Sequence, residues 1–299
     1  MKIFRTAAAF VVITLSCGFT DTPELKSARC EKLLTADTVQ IDTGFPYYAD
    51  RSSRSIANEL EVNGVEGVYY FVILPPVKSG VIPELQSRGI PVALMTLPAM
   101  VYPSEAALDQ LLPENWRDWR VEFTDPRRMG QYIFIGFNYP EYRAWYKPFL
   151  NKLLKENNFD GFTFAEVMYP IGDGVELSPP FYGDVSANFR QSFMRDTGNN
   201  AFPDFSDPES PRYFKTDTAL YHALAAYRVK VVNEFYNDII NSPDGARSAM
   251  PGIKFATWTL GINLPDGVAK LREWEGNDIF SMIKLVHPDL HFVQTHAPD

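Results

Sequence analysis

The stretch Phe159 to Pro170, FDGFTFAEVMYP, leads from an Asp-Gly turn through a short apolar run to an acid, Glu166, where the run stops. In parallel α/β folds the carboxyl ends of the strands form the functional face, so a carboxylate there is placed for proton transfer as well as for an ion pair. The ends of the other apolar runs collect Asp42 with Tyr47, Thr96, Tyr169, Trp258, and Gln294 with His296. Glycoside hydrolysis needs parts of this kind: an acid to protonate a leaving oxygen, amide and imidazole groups to hold hydroxyls, and rings to stack on sugar faces. Singly, each residue has a plainer use. Asp42 suits a turn cap, Trp258 a barrel core, His296 a structural hydrogen bond and Glu166 a surface ion pair.

Six apolar runs are expected to place these residues as strands: Val39 to Gly44, Gly67 to Leu74, Pro91 to Leu97, Phe159 to Glu166, Ile253 to Thr259 and Leu290 to Thr295. Helical segments with glycine or proline stops alternate with them, at 56–63, 83–88, 140–156, 185–197 and 217–241. Pro148 interrupts the third of these and predicts a kink or a late start. Residues 99–139 read as an insertion with candidate rings at Tyr102, Trp116 and Trp119, and with a hairpin over 119–123 and 132–137. About fifty residues separate Glu166 from the next long helix, a length typical of a binding surface.

Apolar strands separated by helices argue for a parallel sheet covered on both faces. The expected class is therefore α/β, a (β/α)8 TIM-type barrel of which about six strand-helix units are present in one domain over 38–299. The sequence stops at Asp299, soon after the sixth strand, and the expectation is that two units at the carboxyl-terminal side are missing.

Lys2 and Arg5 precede an uncharged run, Ala7 to Leu15, that is too short for a permanent span and reads as an export signal over 1–18. Thr14-Leu15-Ser16-Cys17 is similar to a lipoprotein box in which Cys17 becomes lipidated and anchors the chain to a membrane; cleavage after Gly18 is the competing reading. Residues 19–37 are polar and read as a tether. A net charge of −9 argues against nucleic acid and anionic membrane surfaces, which are bound through Lys and Arg. With His222, His287, His291 and His296 the only histidines, and no glycine-rich phosphate loop, no metal and no cofactor is expected. Cys30 has no obvious partner.

Phe137 to Arg143, FNYPEYR, followed by Trp145 and Tyr146 and then by Phe159 to Glu166, resembles the third-helix to fourth-strand segment of glycoside hydrolase barrels, β-galactosidase-like members of the retaining clan above all. The resemblance implies a carbohydrate substrate and places the general acid/base on Glu166. That clan usually has Asn before this acid, where this chain has Ala165, and places its nucleophile at the end of the seventh strand. The expectation is a secreted or surface-anchored glycosidase in which Glu166 is catalytic and Asp42, Tyr47, Tyr169, Trp258, Gln294 and His296 bind substrate. The alternative is a glycan-binding lipoprotein that keeps the barrel without turnover.

Overall fold

The computed structural model describes residues 21–72, 77–98, 100–101, 105–125, 133–169, 182–262 and 265–295. The strands are β1 (Thr38–Ile41), β2 (Gly67–Phe71), β3 (Val92–Thr96), β4 (Met100–Val101), β5 (Ile133–Phe134), β6 (Gly161–Phe164), β7 (Lys254–Gly261) and β8 (Leu290–Thr295). Around them run α1 (Pro23–Lys32), α2 (Pro46–Ala49), α3 (Ser53–Val62), α4 (Val81–Gln86), α5 (Glu105–Leu111), α6 (Pro140–Asn157), α7 (Ala187–Thr197), α8 (Thr218–Asn241), α9 (Ala246–Ala249), α10 (Gly267–Glu275) and α11 (Ile279–Val286).

Six strands form one parallel sheet in the order β1-β2-β3-β6-β7-β8, so each strand-helix unit adds its strand beside the last. Alternation divides the side chains between two faces. Val68, Tyr70, Val92, Leu94, Phe162, Phe164 and Phe255 face the helices and build the main core. Tyr69, Ala93, Met95, Leu97 and Ala165 face the other way and pack with Leu33, Phe71 and Phe292. The rings of Tyr69 and Phe292 meet edge to face at 4.9 Å, although three strands, β3, β6 and β7, lie between β2 and β8 in the sheet. Such a contact requires the sheet to curl into a trough, the geometry of a barrel wall.

The amino-terminal end of the trough is closed by α1, where a tether was expected. Thr22 caps the helix by accepting from the Leu25 N–H, and Pro23 and Glu24 suit its first turn. Its buried side is formed by Arg29 and Cys30, so an apolar pattern never signals it. Arg29 reaches Asp160, which is wholly buried, through Nε at 3.1 Å and Nη2 at 3.0 Å, and pairs with Asp21 at 2.7 Å. Asp160 also accepts from the Gln86 side chain at 3.1 Å and the Val92 N–H at 2.9 Å. Gly161 is required beside it, because a Cβ there would lie 2.5 Å from Leu33 Cδ2.

In the insertion, Trp116–Trp119 is a 3₁₀ turn, and β5 pairs with β4. The expected pairing of 119–123 with 132–137 is present in part, as an antiparallel bridge between Arg120 and Ile135 flanked by Val121 N–H to the Phe134 carbonyl at 2.9 Å and Gly136 N–H to the Trp119 carbonyl at 2.8 Å. Both indoles are buried, Trp116 at 0% and Trp119 at 3% exposure, and this burial draws the segment out of extended structure. Tyr102 lies outside the described residues. The α6 helix runs unbroken through Pro148, which is exposed, so that water can satisfy the Ala144 carbonyl left without a donor.

Candidate functional site

The parallel sheet brings the ends of β1, β2, β3, β6, β7 and β8 to one rim. At β6 the ladder continues one residue past the strand, with the Ala165 N–H donating to the Thr96 carbonyl at 3.0 Å. Glu166 then takes a left-handed backbone, φ +57°, and the chain leaves the sheet. A positive φ is uncommon for a residue with a side chain and clusters at functional positions. The turn is fixed on its far side, where Met168 N–H donates to the Glu166 carbonyl at 3.0 Å and Tyr169 N–H to the Glu275 carbonyl at 2.9 Å. Glu166 itself is half-buried.

Trp258 and Gln294 are brought together. Trp258 is the register partner of Phe292, which faces the trough, and Gln294 lies two residues further along β8 on the same face. The Trp258 indole N–H donates to Gln294 Oε1 at 3.1 Å. Trp258 is 3% exposed and presents little ring surface, whereas Gln294 is exposed and keeps its amide N–H groups.

Asp42 and Tyr47 sit at the β1 side with local partners. Asp42 Oδ1 accepts from the Gly44 N–H at 2.7 Å, the turn-capping use of that residue. Tyr47, 61% exposed, donates its hydroxyl to Glu59 at 2.8 Å and lies under the Arg51 guanidinium at 5.1 Å. Thr96 is buried and hydrogen-bonds Tyr146 on the helix side. His296 lies outside the described residues.

Tyr169 is not a rim ring. It is 1% exposed, packed edge to face on Phe137 at 5.8 Å and tilted on Phe189 at 5.5 Å, because the turn at Glu166 carries it behind the sheet end. There it meets a buried polar group that sequence reasoning missed. The Arg228 guanidinium lies 4.5 Å from the Tyr169 ring centre and 4.3 Å from that of Tyr182, and donates to the Gly183 carbonyl at 2.7 Å. Among the described residues its Nε and Nη1, the hydroxyls of Tyr169 and Tyr182, and Asp184 Oδ2 are buried without hydrogen-bond partners. The signal was present as a charged residue inside the apolar stripe of α8.

Two carboxyls of this region are pushed up by burial. Glu275, 1% exposed, reaches about 7; the Glu166 charge adds to the rise, while the Asn277 amide and the Arg228 charge oppose it. Asp184 reaches about 6 against the backbone N–H groups of Ser186 and Glu122, which hold its Oδ1 at 2.7 Å and 3.1 Å.

No family model and no curated protein matches this sequence. Solved structures do match in shape. The catalytic domain of β-amylase from Paenibacillus polymyxa superposes with a TM-score of 0.60 at 12% identity, over 86% of this chain and 75% of that one. The fold is an incomplete TIM barrel. The β-galactosidases of Halorubrum lacusprofundi and Rahnella sp. R3 each superpose with a TM-score of 0.52, at 16% and 13% identity. They are covered over 38% and 40% of their lengths, against 79% and 90% of this barrel. In barrels of this kind the carboxyl rim is the functional face, and here Glu166 ends the fourth strand of the parallel sheet.

Proposed function

We propose that this barrel is a glycoside hydrolase in which Glu166 protonates the glycosidic oxygen as the bond to the sugar breaks. The observation that carries this reading is the position of Glu166: half-buried, at the carboxyl rim of the fourth barrel strand, on a left-handed backbone pinned from both sides. The named activities of the similarly folded β-amylase and β-galactosidases support a carbohydrate substrate. An acid protonates the leaving oxygen, and the sugar passes through an oxocarbenium-like transition state. Gln294, whose Oε1 is occupied by Trp258, offers its amide N–H groups to a sugar hydroxyl. Glu275 is sealed from substrate, and the Glu166 charge adds to the rise that burial gives its carboxyl. Under this reading Asp42 and Tyr47 contribute at the β1 side.

The second reading is a glycan-binding protein without turnover. It is favoured by Ala165 before the acid and by the use of Asp42 to hold its own turn. Release of reducing ends from an oligosaccharide panel, measured beside calorimetric binding of the same sugars, separates the two. Turnover supports the hydrolase, and saturable binding with no product supports the binding protein.

We further propose that the chain is exported and lipidated at Cys17, on the strength of Lys2, Arg5 and the apolar run after them. Labelled palmitate incorporated by the wild type and not by Cys17→Ser tests this; equal labelling of both chains contradicts it.

A further inference from the structure

On the helix side of the barrel a groove of about 380 Å³ opens between the first turns of α6, the end of α7 and the middle of α8. Its volume lies in the range of small-ligand sites and far exceeds one water molecule. Asn138, Arg143 and Lys147 line it from α6 and the residues before it, Arg195 and Asp196 from the end of α7, and Glu234 and Asp238 from α8.

The charges of these walls cancel, three cations against three anions, and most are already paired. Lys147 holds Asp238 at 3.1 Å, and Arg195 holds Asp196 at 2.7 Å. A strongly anionic or cationic guest would face a like charge within the same groove. The hydrogen-bonding capacity left over is of another kind. Asn138 has both its amide nitrogen and its amide oxygen buried with no partner among the described residues, a donor and an acceptor side by side. Arg143 donates Nε to the Phe137 carbonyl at 2.7 Å and lies 5.9 Å from the Phe235 ring centre. Burial lowers the proton affinity of this guanidinium, as expected of a cation taken partly from water without a tight counter-ion. Glu234, exposed and 3.8 Å from Lys230, adds an acceptor, and Pro140, Ala144 and Val231 add apolar surface.

Paired donors and acceptors, no net charge and an apolar strip match a ligand whose groups each donate and accept while its ring faces are C–H. We propose that this groove binds a neutral polyhydroxylated ligand, one glycosyl unit of an oligosaccharide, independently of the rim at Glu166. The proposal stands whether the barrel cleaves glycans or only holds them.

The test is isothermal calorimetry of the full chain with lactose, maltotriose and cellotriose, in the Glu166→Gln background so that no sugar is consumed. Saturable binding of at least one sugar is expected, weakened tenfold or more by Asn138→Ala and by Glu234→Ala. Glu234 is exposed, so its variant reports on the groove even where Asn138→Ala disturbs folding. Three results overturn the proposal: no binding of any of the three sugars, binding unchanged in both groove variants, or heat with sodium phosphate or acetate and none with sugars. Sugar binding abolished by Gln294→Ala and untouched by the groove variants likewise removes the groove while leaving the rim reading intact.

Discussion

The indole N–H of Trp258 donates to Gln294 Oε1 at 3.1 Å, fastening the middle of β7 to the carboxyl-terminal half of its neighbour β8. The two partners divide the work. Trp258 is buried, and Trp258→Ala is expected to destabilise the barrel by about 3–5 kcal/mol, as large-to-small changes in cores do. Gln294 is exposed, so water can replace it, and Gln294→Ala is expected to lose about 1 kcal/mol. Urea unfolding checks the contrast, and under the proposed function the Gln294 variant also weakens sugar binding at the rim.

Closure of the amino-terminal end rests on the buried pair Arg29 and Asp160. Asp160→Ala leaves a guanidinium that is 5% exposed without its inner counter-ion and frees the Val92 N–H and the Gln86 amide. A loss of about 3–5 kcal/mol follows from breaking a buried pair. Asp42→Ala, which removes one turn bond at the opposite end, is expected to lose about 1 kcal/mol or less. Equal urea midpoints for the two variants would contradict this account of α1.

Glu275 and Asp184 lower stability as pH rises through the weakly acidic range, and His291, which burial pushes down from 6.5 to about 4, opposes them over the lower part of it. Glu275 rises from 4.5 to about 7 on folding and Asp184 from 3.8 to about 6. Between their unfolded and folded values the native state holds more protons than the unfolded chain, so raising the pH favours unfolding. The contribution is fully present below pH about 4 and is lost by about pH 7, on the order of 3 kcal/mol for each group. Urea midpoints measured from pH 4 to 8 give the slope, and Glu275→Gln is expected to flatten its upper part.

Much of this fold was legible because each strand is a compact apolar run. Leu290–Thr295 appears with the bounds its sequence suggests, and Asp217 caps α8 by accepting from the Leu220 N–H at 3.0 Å. The α1 helix was hidden because its buried side is an arginine and a cysteine whose partner Asp160 lies far along the chain. At the site, the strand end at Glu166 was readable from the stop of FTFA, but the left-handed turn that follows was not, and that turn decides that Tyr169 goes behind the rim. Glu275 enters only through tertiary packing, and although Arg228 stands out as a charge inside the apolar stripe of α8, nothing local marks its nearness to Tyr169.

Cys30 is 2% exposed, and burial first, then the Asp160 charge, pushes its thiol up to about 11. It is expected to resist a thiol reagent at pH 8 in the native chain and to react fully in urea. Rapid labelling of the native Cys17→Ser chain would show that α1 does not stay docked.

The most direct test of Glu166 as an acid varies the leaving group. Glu166→Gln keeps the shape and removes the proton, so cleavage of an unactivated aryl glycoside or oligosaccharide should fall by about 10²–10⁴. A dinitrophenyl glycoside of the same sugar needs no protonation on departure, and its bond-breaking step should slow less than about tenfold. Equal losses on both substrates, or no loss on either, would contradict the assignment of Glu166 as the proton donor.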